Sequence, residues 1–332
     1  LSSENVNWIP LSYTKNPPLF STLYDLLKLK AAVKKEIRNS PRVVIHCRSY
    51  ITSIIGLWAK KKYSIKFIFD MRGFWADERV DGGIWNTSNF LHNKIYHYFK
   101  KKEREFLSHS DHVVSLTESA KKEILSWNIP FLTSSKITII PCCVDIPLFS
   151  PNAINTKKIE ALKKTLQITG NDFVISYLGS LGTWYMLKEM LFFFKQLLHK
   201  NPSAKFLFIT PDKKEFILNA AHLSGIDSDR IIVTCADRSE VFLYGALSRL
   251  SVFFIKPCFS KKASSPTKMG EILAMGIPVI TNSDIGDVDE LLKNSGVGWV
   301  INNFNESEYD RAVNQIEELL KVDKAKIISF AN

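Results

Sequence analysis

Long apolar runs are missing from this sequence. No uninterrupted stretch approaches the ~18 apolar residues that a membrane-spanning helix requires, so a transmembrane segment is excluded and a soluble or peripheral protein is expected. Cysteine is scarce. Cys47, Cys142, Cys143, Cys235 and Cys258 form no CxxC pair and no metal-ligand spacing, and their odd number argues against a complete disulfide framework. The expectation is a cytoplasmic, reducing setting with no bound metal. No signal peptide is recognisable, and the chain opens on Leu1 rather than Met, which leaves open whether a segment precedes it. Helix-turn-helix, zinc-ligand and RNP patterns are absent as well, so no nucleic-acid partner is expected.

What is present points to two α/β domains. At 332 residues the chain exceeds one typical domain of ~100 to 200 residues, and 45% hydrophobic with 23% charged residues is an ordinary globular composition. Charge is uneven: residues 1–150 hold 22 Lys+Arg against 13 Asp+Glu, the remainder 22 against 20. The excess suggests that the first part meets something anionic, with the runs Lys60-Lys61-Lys62 and Lys100-Lys101-Lys102 contributing, although solvated helix faces would look the same.

Short β-branched and aromatic runs alternate with longer amphipathic stretches, the pattern of parallel sheets with helices on both faces. Strands are expected at residues 6–10, 43–47, 66–70, 112–115 and 137–140, then at 173–177, 205–210, 230–234, 252–255, 278–281 and 298–301. They read as apolar throughout, as strands buried on both faces do. Helices are expected at 19–38, 89–108, 118–127, 188–199, 239–249 and 306–328. Pro141, Pro147 and Pro151 punctuate a stretch without period, so the link is placed there and the domains are read as 1–150 and 151–332.

The most informative stretch runs from Ser264 through Ser265-Pro266-Thr267-Lys268-Met269-Gly270-Glu271 to Ala274-Met275-Gly276-Ile277-Pro278-Val279-Ile280. It reads as a loop, a helix opened by Ser/Pro/Thr, a glycine C-cap and a buried strand. A helix N-terminus at the mouth of a sheet offers free N–H groups to an anion, and Lys268 adds a full charge. Glu271, three residues on, lies on the same face, where a carboxylate accepts hydrogen bonds from ribose hydroxyls. A plain cap with a surface ion pair is the alternative.

Residues 266–280 resemble the nucleotide-sugar signature of glycosyltransferase family 4, with Glu271 at the position of the carboxylate that holds the donor ribose. Three further stretches carry the resemblance. Ile139-Ile140-Pro141-Cys142-Cys143-Val144-Asp145 is similar to the segment closing the family's N-terminal domain, with Cys for both Asn and Gly. Tyr177-Leu178-Gly179-Ser180-Leu181-Gly182 is similar to the glycine loop against the donor phosphates. Phe69-Asp70-Met71-Arg72-Gly73-Phe74-Trp75 resembles the loop facing the transferred sugar in relatives acting on bacterial surface polysaccharides. The resemblance implies the GT-B fold: two Rossmann-like doubly wound domains facing each other across a cleft, the first on the acceptor side and the second on the donor side.

It also implies retaining transfer of a hexosyl or N-acetylhexosaminyl group, without a metal or other bound cofactor. The donor would be a nucleotide-diphosphate sugar of UDP or GDP type, and the acceptor a saccharide or polyprenyl-linked saccharide in surface polysaccharide synthesis, lipopolysaccharide or capsule. Lys268, Glu271 and Arg72 are the candidate catalytic residues. Gly179, Ser180, Gly182, Cys235, Ala236, Ser265, Pro266 and Thr267 are the candidate donor-binding residues, and His46, Arg48, Asp70 and Gly73 the candidates on the acceptor side. Glycine after a strand is also routine turn chemistry, Arg72 either enters the cleft or pairs with Asp70 or Asp77, and a His at a strand end is often structural. Trp75, Trp85 and the aromatic run 96–99, next to Lys100 to Lys102, are compatible with peripheral contact at an anionic inner leaflet of the plasma membrane.

Departures from the family pattern are equally concrete. Ala263 stands eight positions before Glu271, where many members carry a second Glu. Ser180 follows the loop glycine where many carry Arg, with Trp184 and Tyr185 nearby, so Lys268, helped by Arg72, Lys261 or Lys262, is left to meet the diphosphate. The family's opening strand and glycine-rich loop have no counterpart before residue 6. A nucleotide-sugar epimerase or hydrolase, and a catalytically silent nucleotide-binding scaffold, are the alternative functions within the same architecture.

Overall fold

A computed structural model describes residues 6–17, 20–40 and 42–331. The chain divides into two compact units between Ile140 and Pro141. The first contains α1 (Phe20–Asn39), β1 (Val44–Arg48), α2 (Ser49–Tyr63), β2 (Lys66–Asp70), α3 (Trp75–Asp81), α4 (Phe90–His109), β3 (His112–Ser115), α5 (Glu118–Ser126) and β4 (Ile137–Ile139). Its four strands form a parallel sheet in the order β1-β2-β3-β4. Local chemistry sets the helix starts: Asn89 caps α4 by accepting from the N–H groups of Leu91 and His92, and Thr117 caps α5 through Ala120. Helix α2 lies close on the sheet because Gly56 carries no side chain; a Cβ there would come within 2.5 Å of the Phe67 ring and 2.6 Å of Cys47 Sγ.

Two expectations for this unit fail. Residues 6–10 adopt no regular structure, and Val6, Trp8 and Ile9 are exposed, so the segment lacks the burial that stabilises a strand. Strand β1 is not buried on both faces. It is an edge strand, with Val44 60% exposed and only Cys47 buried. Leu19, the expected start of the first helix, lies outside the described residues.

The second unit contains α6 (Thr156–Thr165), β5 (Phe173–Leu178), α7 (Leu187–Lys200), β6 (Ala204–Ile209), α8 (Lys214–Leu223), β7 (Ile231–Thr234), α9 (Val241–Gly245), β8 (Leu250–Val252), α10 (Thr267–Ala274), β9 (Val279–Asn282), α11 (Val288–Ser295), β10 (Gly298–Ile301), α12 (Glu306–Lys321) and α13 (Lys324–Ala331). The six strands are parallel, ordered β10-β9-β8-β5-β6-β7. All six residues of β5 are buried, as its central position demands. The expected helix 306–328 is two helices, because Val322 turns extended and the Asp323 side chain accepts from Ala325 N–H, capping a new start. The expected helix 239–249 shrinks to five residues, α9.

The division falls ten residues before the expected 150/151. Residues 141–149 pack with the second unit: Phe149 is fully buried in its core, Cys142 N–H donates to Ser265 Oγ (3.1 Å), and Val144 fills the space beside Gly270. Prolines in this segment end the preceding strand without detaching the chain from a core.

Candidate functional site

The second sheet changes direction between β5 and β8, since β5 pairs with β6 on one side and β8 on the other. In open α/β sheets such a switch leaves a crevice beyond the carboxyl ends of the strands. A cavity of about 580 Å³ lies beyond the carboxyl ends of β5, β6 and β7, walled by Gly179, Thr210, Cys235, Ala236 and Arg238 and by the N-terminal half of α10 with Thr267, Lys268 and Glu271. The volume suits a nucleotide-sized ligand. Six candidate donor-side residues thus share one cavity: Gly179, Cys235, Ala236, Thr267, Lys268 and Glu271. Ser180, Gly182, Ser265 and Pro266 adjoin it in sequence without lining it.

Lys268 reaches across from α10 to β5. Its Nζ lies 3.1 Å from the Tyr177 hydroxyl, 4.2 Å from the Tyr177 ring centre and 3.5 Å from that of Tyr185. Among the described residues no carboxylate stands within ion-pair distance of it. Burial beneath the rings pushes its pKa down to about 7, while the Glu271 charge pulls the other way. Gly179 makes this approach possible: it sits at φ +104°, and a Cβ there would lie 3.0 Å from Lys268 Nζ.

Glu271 is 4% exposed, and its partner is not Lys268. Arg238 NH1 lies 2.5 Å from Glu271 Oε1, with the guanidinium 4.8 Å above the Phe149 ring. Pro266, which precedes α10, offers no side-chain cap, and Ser265 instead accepts from Cys142, so the first-turn N–H groups are not met by a capping side chain.

The glycine loop has fewer spare donors than its sequence suggests. Gly179 N–H is spent on Ile209 C=O, and Leu181 N–H on Asp212 Oδ2 at 2.6 Å. Burial opposes the charge of Asp212, but hydrogen bonds from Leu181, Thr210 and Ser180 hold its carboxyl below the usual range. Asp212 therefore fixes the loop. Lys261, considered as a helper of Lys268, is buried with its Nζ 3.7 Å from the Trp184 ring centre. The roles of Tyr177, Asp212 and Arg238 were missed in the sequence. The aromatic pair Trp184-Tyr185 after the loop was the one legible hint that Lys268 sits against rings.

The remaining candidates belong to the first unit, at the carboxyl ends of β1 and β2. His46 Nε2 lies 3.3 Å from Asp70 Oδ2, and Arg48 pairs in register with Asp70. Arg72 and Gly73 follow β2 with φ of +58° and +132°. Behind this loop the Tyr50 hydroxyl bonds Glu103 and lies 3.4 Å from Gly73 C=O. Lys100 joins Asp77 (2.7 Å) and Glu103 (2.5 Å), and Tyr96 donates to Asp77 (2.9 Å). Much of the basic run is thereby neutralised: Lys60 pairs with Asp111 and Lys102 with Glu105. Trp75, Trp85 and Phe99 pack on one another.

These observations define a protein of two parallel-sheet α/β domains of the GT-B class. Residues 158–327, just over half of the chain, match the family model described as glycosyl transferases group 1, and residues 2–147 match that described as glycosyltransferase family 4. The chain belongs to the glycosyl transferases group 1 family and is a glycosyltransferase.

Solved structures of similar fold include a glycosyltransferase from Rickettsia africae (TM-score 0.71, 16% identity, covering 99% of this chain and 80% of the other). Sucrose-phosphate synthase from Thermosynechococcus elongatus is similar at TM-score 0.67 (14% identity, 97% and 74% covered). The Anabaena protein HepE in complex with UDP is similar at 0.66 (14% identity, 95% and 78% covered). Curated protein sequences give no significant match.

Proposed function

We propose that the chain transfers a hexosyl or N-acetylhexosaminyl group, with retention, from a UDP- or GDP-type sugar held in the second unit. The acceptor in this reading is a saccharide or polyprenyl-linked saccharide of cell-surface polysaccharide synthesis, received by the first unit at His46, Arg48, Asp70, Arg72 and Gly73. The work takes place in the cytoplasm, with peripheral contact at the inner membrane face. The observation that carries the donor assignment is the joint presence of Lys268 and Glu271, one helical turn apart, on the wall of a single cavity. The complex of HepE with UDP supports the ligand class.

As the bond from the anomeric carbon to the diphosphate breaks, negative charge grows on the leaving oxygens and positive charge on the sugar. Preorganised donors lower that barrier because they need not reorient as the charge develops. In this reading Lys268 and the N–H of Thr267 meet the diphosphate, Glu271 accepts from the ribose hydroxyls, and backbone around Cys235 and Ala236 borders the base. None of these groups acts as a nucleophile.

The test is calorimetry with UDP, GDP and ADP. Lys268→Ala and Glu271→Ala are each expected to weaken binding about tenfold or more, the loss of a charged hydrogen bond; unchanged affinity in both variants sinks the reading. Incubating donor sugar without acceptor separates the alternatives, since epimerised product or rapid hydrolysis marks an isomerase or hydrolase instead of a transferase.

A further inference from the structure

Among the described residues Glu271 is the one carboxylate lining the donor cavity, and it is buried. An unpaired carboxylate there would be costly. Its counter-charge comes from outside α10: Arg238, four residues beyond β7, forms an ion pair with Oε1 (2.5 Å) while its guanidinium is backed by the fully buried Phe149 ring. Oε2 has no hydrogen-bond partner among the described residues. The two carboxylate oxygens are thus divided, one fixed by Arg238 and one left for a ligand. Lys268 does not compete for either, being held against Tyr177 and Tyr185.

We propose that Arg238 is a positioning residue that makes the site selective for ribonucleotides, by anchoring one oxygen of Glu271 so that the other is presented to the sugar diol. The proposal rests on the nucleotide-sugar reading of the cavity and adds a residue and a selectivity to it. Arg238 does not touch the reacting atoms in this assignment. Its side chain is 61% exposed, so its removal leaves the core intact.

The experiment is titration calorimetry on the full chain with UDP, GDP and ADP, and then with the 2′,3′-dideoxy form of the tightest binder. It compares the wild type with Arg238→Gln, Arg238→Lys and Glu271→Gln. The wild type is expected to prefer the ribose form by about 10- to 100-fold, the scale of a hydrogen bond to a charged group. Arg238→Gln should reduce that preference to about threefold or less by weakening only the ribose form, and Arg238→Lys should restore part of it.

Equal loss for both forms in Arg238→Gln overturns the proposal, because Arg238 would then serve the phosphates, the base or the fold. Full preference retained in Arg238→Gln overturns it too. A preference that survives Glu271→Gln, a wild type without preference, or a wild type that binds none of the three nucleotides removes the reading of the cavity itself, and this proposal with it.

Discussion

Lys268 shows how much a single side chain's surroundings decide. Its charge sits under two phenol rings with no carboxylate within ion-pair distance among the described residues, so burial pushes its pKa down to about 7 despite the opposing pull of Glu271. In the proposed reading an arriving diphosphate supplies a counter-charge and raises the affinity of Lys268 for its proton. At pH 8, nucleotide binding should therefore take up close to one proton, measured by calorimetry in buffers of different ionisation enthalpy, and Lys268→Met should abolish the uptake. The groups facing Lys268 are Tyr177, Tyr185 and Glu271; burial lifts both phenols far above this range, leaving the lysine as the titrating group.

The same lysine makes stability depend on pH. Between about 7 and its unfolded value near 10.4, the unfolded chain binds a proton that the folded chain lacks, so stability rises with pH across that window. Below pH 7 both forms are protonated and the burial penalty is complete. Lys268→Met is accordingly expected to be more stable than the wild type in urea at pH 6, with the difference shrinking by pH 9. A constant difference would show that the lysine is charged throughout.

At the scale of elements, function depends on how closely helices approach their sheets. Helix α10 brings Lys268 and Glu271 to the strand ends, yet each finds its partner on another element, Tyr177 on β5 and Arg238 beyond β7. In the first unit Gly56 sets the approach of α2 to β2. Gly56→Ala would raise helix propensity, but the new methyl meets the Phe67 ring and Cys47 Sγ at 2.5 and 2.6 Å. Overpacking of that kind costs about 1–3 kcal/mol, more than the ~1 kcal/mol gained in propensity. Net destabilisation of the first unit, read by chemical denaturation, is the expected outcome.

The element types of both sheets were legible from apolar runs, with ends displaced by a residue or two in most cases. What was not legible depended on neighbours: residues 6–10 read as a strand but lie exposed, and β1 reads like an internal strand yet stands at the edge. A run of apolar residues records what a segment is able to bury, not whether something covers it.

For the molecule as a whole, the decisive fact is that every residue lining the cavity proposed to hold the donor belongs to the second unit. A fragment of residues 141–332 should retain nucleotide affinity within about threefold of the full chain. A fragment starting at 151 loses Phe149 from the core and from beneath Arg238; removing a buried Phe typically costs about 3–5 kcal/mol. The shorter fragment is expected to melt lower and bind more weakly, measured by thermal unfolding with and without nucleotide. Equal behaviour of the two fragments would show that residues 141–150 are a linker after all.

The sequence by itself determined the alternation of strands and helices, the helix that opens at Thr267 and the placing of a cation and a carboxylate three residues apart near its start, because periodicity and turn chemistry act over a few residues. Only the tertiary structure decided which groups those side chains meet. Arg238 and Glu271 are brought together by strand order and helix placement, and no local pattern encodes a contact between residues so far apart in the chain. The same holds for Lys268 under Tyr177 and for the joining of residues 141–149 to the second core: distance along the chain carries no information about desolvation, and desolvation sets the charge states on which the site depends.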